Sequence, residues 1–144
     1  MADVLMVAGR YQLGNNPGVF QDATYVGHSL ILPFSKPWYD PNATKVTFIV
    51  YTTDIETWGD WKGHIFSING TEIGRLKDPV DTMGIYERFE IAIGTADLQA
   101  LLRGKSEFTI EVVLERQTTQ PTLSDDFVLI RIATDASFGA MLGW

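Results

Sequence analysis

The chain has 144 residues, no cysteine and a formal net charge of −7, with 11 basic and 18 acidic side chains. A domain of this size buries roughly 68–70% of its unfolded surface and does not need disulfides, while the missing cysteines exclude thiol nucleophiles and thiolate metal sites. The few, scattered basic residues argue against a nucleic-acid partner, and no apolar run approaches the ~20 residues of a membrane helix.

The first ten residues do not have the pattern of a secretory signal. An acid, Asp3, stands where a signal peptide carries basic residues, and the apolar patch that follows is short. We therefore expect either a cytoplasmic protein or one that is exported as part of an assembly.

From residue 45 onward, the hydrophobic pattern repeatedly has a period of two, which predicts β-strands. The predicted strands are 45–52, 64–68, 71–76, 86–93, 107–115 and 125–132. Apolar residues occupy every second position from Phe108 to Leu114, so this strand has one dry and one wet face, as in a sandwich sheet. The run 127–132 is apolar on both faces except for Arg131, which predicts a central strand.

Two local signals connect these strands. Asn69-Gly70 predicts a type I′ hairpin, because both central residues of that turn need positive φ. One short helix is predicted over residues 95–103, with Thr95 as its N-cap and Gly104 at C′. Its apolar stripe consists of Leu98, Leu101 and Leu102.

The groups that perform covalent chemistry are sparse. His28 and His64 both fall in predicted strands with no carboxylate at ligand spacing, which favours structural histidines over metal ligands. Gly-x-Ser-x-Gly, dinucleotide-binding and P-loop motifs do not occur. We therefore expect a protein that is not an enzyme, with a glycosidase or a metal-dependent hydrolase as the remaining alternative.

Acidic residues group in two places. Asp54, Glu56 and Asp60 share one predicted loop, and Asp125-Asp126 begin the last strand. Solvated loop acids are the favoured interpretation. The alternatives are a structural calcium ion held by separate loops, since the EF-hand spacing does not occur, and a catalytic carboxylate pair. No other cofactor is expected.

Aromatic residues are concentrated outside the clear strands. A loop Trp or Tyr offers a flat apolar face with a polar edge, on which a pyranose ring can stack while neighbouring polar groups hold its hydroxyls. The candidate ligand-binding residues are Trp38, Tyr39, Trp58, Asp60, Trp61 and Lys62. Two alternatives stay open: these aromatics plug the end of a core, or they anchor a protein interface.

The order of these elements resembles that of a known fold family. The run 66–76, the later helix, the strand 108–114 and the closing Asp125-Asp126-Phe127-Val128-Leu129 resemble galactose-binding-like jelly rolls, a fold that many carbohydrate-binding modules share. The resemblance covers residues 45–134. It implies an antiparallel β-sandwich with ligands bound by loops at one end, often non-catalytic and often with a structural calcium.

The sequence thus predicts a single all-β domain over residues 1–144 and two functions. The first is a non-catalytic binding module, with carbohydrate as its partner. The second is a structural or accessory subunit of a larger assembly, such as a virion, a phage tail or a contractile particle. In that alternative the apolar segments 4–8 and 138–144 and the loop aromatics would contact other subunits, including copies of the same chain.

Overall fold

The computed structural model describes residues 4–18, 20–35, 38–39, 42–55, 62–77, 86–115, 126–135 and 138–139. Within these ranges the chain forms strands and one short helix. In chain order the elements are β1 (Val4–Leu13), β2 (Thr24–Gly27), β3 (Ser29–Ser35), β4 (Trp38–Tyr39), β5 (Lys45–Thr53), β6 (His64–Ile68), β7 (Thr71–Leu76), β8 (Tyr86–Gly94), α1 (Thr95–Leu102), β9 (Glu107–Val113), β10 (Phe127–Thr134) and β11 (Phe138–Gly139).

The strands form two sheets that pack face to face, and the predicted all-β sandwich is confirmed. One sheet has the order β2-β1-β10-β5-β8, the other has the order β3-β9-β6-β7, and β4 pairs separately with β11. Pairings within the sheets are antiparallel, apart from the short parallel contact between β1 and β2. Strand β10 lies between β1 and β5, as its two apolar faces predict.

The pairing has the nested order of a jelly roll. The pairs β1–β10, β3–β9, β5–β8 and β6–β7 lie one inside the next along the chain, and successive pairs alternate between the two sheets. Strand pairs that are nested in this way and alternate between two sheets form the two Greek keys of a jelly roll. The connections between strands therefore gather at the two ends of the sandwich, which is where loop residues can meet.

The core lies between the sheets and follows the alternation seen in the sequence. In β5, Val46, Phe48 and Val50 are fully buried and belong to the apolar cluster. The Phe48 ring lies 5.6 Å from that of Phe66 in the opposite sheet, centroid to centroid. Burying a side chain of this size stabilises the fold by about 1.5–3 kcal/mol.

The predicted hairpin and helix are confirmed, but the predicted cap is wrong. Asn69 and Gly70 have φ of 50° and 83°, and they join β6 to β7. Helix α1 ends at Leu102, Arg103 is its C-cap, and Gly104 follows with a φ of 72°. Thr95, however, is the first helical residue: Gly94 holds the N-cap position, and the Thr95 side chain is buried without a capping hydrogen bond.

Two further boundaries differ from the sequence-based expectation. His28 lies in a turn between β2 and β3 instead of in a strand. Strand β9 ends at Val113, because the next two amides leave the ladder. The Leu114 N–H donates to the His28 carbonyl at 2.7 Å, and the Glu115 N–H donates to Nδ1 of His64 at 3.1 Å.

Candidate functional site

The topology places the candidate residues that the structure describes at opposite ends of the sandwich. One end, which we call the β5–β6 end, contains the paired strand termini Leu13, Thr53 and Phe127. The other, the helix end, contains Ser35, Lys45 and helix α1. Strand β5 has nine residues, so the two ends are roughly 26 Å apart at about 3.3 Å per residue.

Trp38 and Tyr39, which were predicted in a loop, form strand β4 at the helix end, whereas Lys62 lies at the β5–β6 end. Trp38 comes three residues after Ser35, which limits its distance from that strand terminus to about 10 Å. Lys62 is exposed and lies two residues before the first residue of β6. Trp58, Asp60 and Trp61 are outside the described residues. The candidate residues that the structure describes therefore lie at different ends of the sandwich.

The segment that joins β5 to β6 is held firmly where it leaves and re-enters the sandwich. Asp54 has a φ of 65°, which turns the chain sharply after β5, and the next side chain, Ile55, is completely buried. Gly63 has a φ of 93°, and a Cβ at this position would lie 2.8 Å from the Leu76 carbonyl oxygen. Only glycine fits this return point without strain.

Arg75 on β7 ties this return point to two other elements. Its guanidinium donates to the Gly63 carbonyl at 2.9 Å, to Glu72 at 2.9 Å, and to Glu115 beyond β9. Among the effects that raise the pKa of Arg75, the largest is the hydrogen bond that Arg75 donates to Glu72, and Glu115 adds to it. The Gly63 carbonyl next to Lys62 is therefore held by a charged donor.

A second hydrogen-bonded network holds the part of this end that follows β1. The fully buried Gln12 donates from Nε2 to the Asn16 carbonyl at 2.9 Å and to Oδ1 of Asp126 at 3.4 Å. The same Asp126 oxygen accepts the Asn16 N–H at 3.1 Å. Asp126 therefore orders a loop more than a hundred residues away in the chain, which is a structural role for one of the predicted loop acids.

Tyr25 on β2 is an aromatic residue at this end that the sequence analysis did not select. Its side chain is 40% exposed, and its hydroxyl donates to the Gly14 carbonyl at 2.8 Å. The sequence signal was weak, because β2 pairs with β1 in parallel and has no apolar alternation of its own. In the sequence, the only local indication that the Tyr25 ring is exposed is its position directly after Asp22, Ala23 and Thr24.

The helix end carries a pocket of different character. Its volume is about 440 Å³, and its lining consists of Thr71, Glu72, Ile73, Ile93, Asp97, Ala100 and Leu101. None of these lining residues is aromatic, so within the described part of the chain the pocket offers no face on which a sugar ring could stack.

Within the described ranges, no three His, Asp or Glu side chains are close enough together to hold a metal ion. His64 is completely buried and stacks on Phe127. Among the described residues, no helix is long and apolar enough to cross a bilayer, since α1 has eight residues. Comparisons with protein-family models, with curated proteins and with solved structures gave no match to this chain.

Proposed function

We propose that this protein is a non-catalytic carbohydrate-binding module and that the glycan binds at the β5–β6 end. The observation that carries the proposal is that Tyr25 and Lys62 are both exposed at the end where the Trp-bearing connection leaves β5 and returns to β6. Trp58 and Trp61 belong to that connection in the sequence. Aromatic rings beside polar side chains are the combination that a pyranose ring needs.

The strand register supplies a scale for this surface. Thr53 pairs with Val128, Val128 with Gln12, and Gln12 with Tyr25. The start of the β5–β6 connection and the tyrosine therefore lie on the outer two of four adjacent strands, three strand spacings apart. At about 4.8 Å per strand spacing, the separation is about 14 Å. A surface of this length suits an extended ligand such as an oligosaccharide better than a single small molecule.

The rigidity of this end also supports a binding role. Arg75 holds the return point at Gly63, and Asp126 holds the loop after β1. Segments that are already held in place before the ligand arrives lose less conformational entropy when it binds.

The test is a titration of the full-length protein with a panel of soluble oligosaccharides, followed by tryptophan fluorescence. We expect at least one glycan to change the emission, and Trp58→Ala or Trp61→Ala to remove that change. Trp38→Ala is the matched control, because Trp38 lies at the opposite end. The proposal fails if the panel gives no change, or if Trp38→Ala alone removes the response.

A second candidate function is a subunit of a larger assembly, and one observation favours it. Ile31 is 58% exposed on β3, which is an edge strand of the four-stranded sheet. An edge strand has unpaired backbone groups that another chain can extend. Sizing chromatography with light scattering tests it: a larger particle that Ile31→Lys dissociates supports the assembly, and a monomer at all concentrations contradicts it.

A further inference from the structure

Three side chains form a row on the outer face of the five-stranded sheet, two residues before β5 ends at Thr53. Tyr51 on β5 pairs with Arg88 on β8 on one side and with Arg131 on β10 on the other. The neighbours of Tyr51 in the chain, Val50 and Thr52, are fully buried, while Tyr51 is half-buried and both arginines are exposed. The row therefore faces solvent.

The three side chains contact each other in a defined arrangement. The Arg131 guanidinium lies over the Tyr51 ring, with Cζ 5.2 Å from the ring centroid. On the other side, Arg88 Nε donates to the Tyr51 hydroxyl at 3.4 Å. Tyr51 thus orients two cations by two different interactions, a cation–π contact and a hydrogen bond.

The acids on this face are already engaged, and they leave Arg131 without a carboxylate. Glu90 lies 3.4 Å from Arg88, and Oδ2 of Asp135 accepts the Thr47 N–H at 3.0 Å. No described acid lies within ion-pair distance of Arg131. The Arg88–Glu90 pair is solvent-exposed on both sides, and exposed pairs contribute little, so a ligand can compete with it.

We propose that the Arg88–Tyr51–Arg131 row binds the carboxylate of a uronate residue in an acidic glycan. A guanidinium stacked on an aromatic ring keeps its N–H edge open, and that edge matches a carboxylate in a bidentate pair. Arg131 takes the carboxylate, and Arg88 with the Tyr51 hydroxyl takes adjacent hydroxyl groups. The proposal rests on the carbohydrate-binding function proposed above and adds a charge class to its ligand.

The position of the row favours a sugar over an acidic peptide. Peptides that bind to sheets gain most of their affinity by adding a strand at a free edge. Strands β5 and β10, which carry Tyr51 and Arg131, are internal to the sheet and pair on both sides, whereas Arg88 lies on the edge strand β8. A peptide that contacts Tyr51 and Arg131 could use only flexible side chains there, whereas a pyranose presents its carboxylate on a rigid ring and loses less entropy.

The test is calorimetric titration with a tetramer of galacturonic acid, compared with its methyl ester and with a neutral galactose tetramer. We expect the acid to bind at least about tenfold more tightly than the ester, since an ester cannot form the charged bidentate pair. Arg131→Gln should remove that preference, whereas Arg88→Gln should weaken the binding of acid and ester alike. Arg103→Gln is the control with the same charge change, because Arg103 is exposed at the end of the helix.

The outcomes separate this proposal from the function proposed above. Equal affinity for acid and ester, or equal effects of Arg131→Gln and Arg103→Gln, would overturn the uronate site, and so would equally tight binding of a tetraglutamate peptide. If a neutral glycan still quenches tryptophan emission in those cases, the binding site at the β5–β6 end stands alone. If acid binding depends on Arg131 but no glycan quenches tryptophan emission, the uronate site stands alone.

Discussion

The imidazole of His64 stacks on the ring of Phe127, with ring centroids 4.8 Å apart and planes inclined by 14°. The two residues begin β6 and β10, so the stack joins the two sheets at the end where we place the glycan. Nδ1 of His64 also accepts the N–H of Glu115 at 3.1 Å. One buried side chain thus holds three elements together beneath the candidate site.

His64→Leu should destabilise the fold, although leucine is apolar and has a volume similar to that of histidine. The substitution leaves the Glu115 N–H without its acceptor, and an unsatisfied buried donor costs about 1–3 kcal/mol. The free energy of unfolding, measured by urea denaturation, checks this. Exposed Gln99→Leu on α1 is the control for a polar-to-leucine change and should change stability by less than about 0.5 kcal/mol.

Gly74→Ala should destabilise the protein by about 1–3 kcal/mol through overpacking. A Cβ on Gly74 would lie 2.6 Å from Cγ2 of Ile91, where β7 approaches β8 across the edges of the two sheets. The double-mutant cycle with Ile91→Ala identifies the cause. Gly74→Ala should cost less in the Ile91→Ala background, and additive effects would contradict the close approach as the reason.

Asn69 should contribute to stability both through its turn conformation and through its side chain. Its Nδ2 donates to the Leu101 carbonyl at 3.1 Å, and its Oδ1 accepts the Thr109 N–H at 2.9 Å, so the hairpin is tied to α1 and β9. Asn69→Gly keeps the positive φ and should cost about 1–3 kcal/mol for the two hydrogen bonds. Asn69→Ala should cost about 1 kcal/mol more, because alanine is strained at a φ of 50°. Thermal or urea unfolding followed by circular dichroism separates the two contributions, and equal costs would contradict a role for the turn.

Tyr25→Ala should weaken glycan binding at the β5–β6 end by about tenfold, in line with the loss of one exposed aromatic contact. Ile31→Ala is the control, since Ile31 is also an exposed apolar residue but lies on β3 outside the proposed site. Calorimetric titration with the glycan that quenches tryptophan emission measures both variants. Similar losses in the two variants would contradict a specific role for Tyr25.

Tyr25→Phe separates the ring from its hydroxyl. The hydroxyl donates to the Gly14 carbonyl, so its loss should loosen the loop that follows β1 without removing the stacking face. We expect an affinity between those of the parent protein and Tyr25→Ala. An affinity as low as that of Tyr25→Ala would show that the hydroxyl, not the ring, is what matters.

The strands in the second half of the chain could be predicted from the sequence because their evidence is local. Alternation places Phe108 and Ile110 on one face whatever the partner strand is, and Asn69-Gly70 needs only its own two φ angles. The two apolar faces of β10 likewise indicated a central position. The helix was found within a residue of its true end, but Thr95 did not cap it, since Thr95 itself became the first helical residue.

The candidate site was predicted less completely, because a sequence does not state which loops share an end. Trp38 and Lys62 were both plausible loop residues, and only the alternation of nested pairs between sheets placed them at opposite ends. Tyr25 was missed because its position depends on a parallel pairing with β1. The row of Tyr51, Arg88 and Arg131 could not be predicted either, because it depends on the pairing of β5 with β8 and with β10.

Residue order therefore determined the all-β class, the main strands of the second half and the scarcity of catalytic groups, since these depend on periodicity and composition. The tertiary structure decided the register between distant strands, and with it which side chains become neighbours. Arg88 and Arg131 are 43 residues apart in the numbering, yet each flanks Tyr51 because three strands align at that level. Such contacts arise from long-range pairing free energy, which no local window of sequence contains.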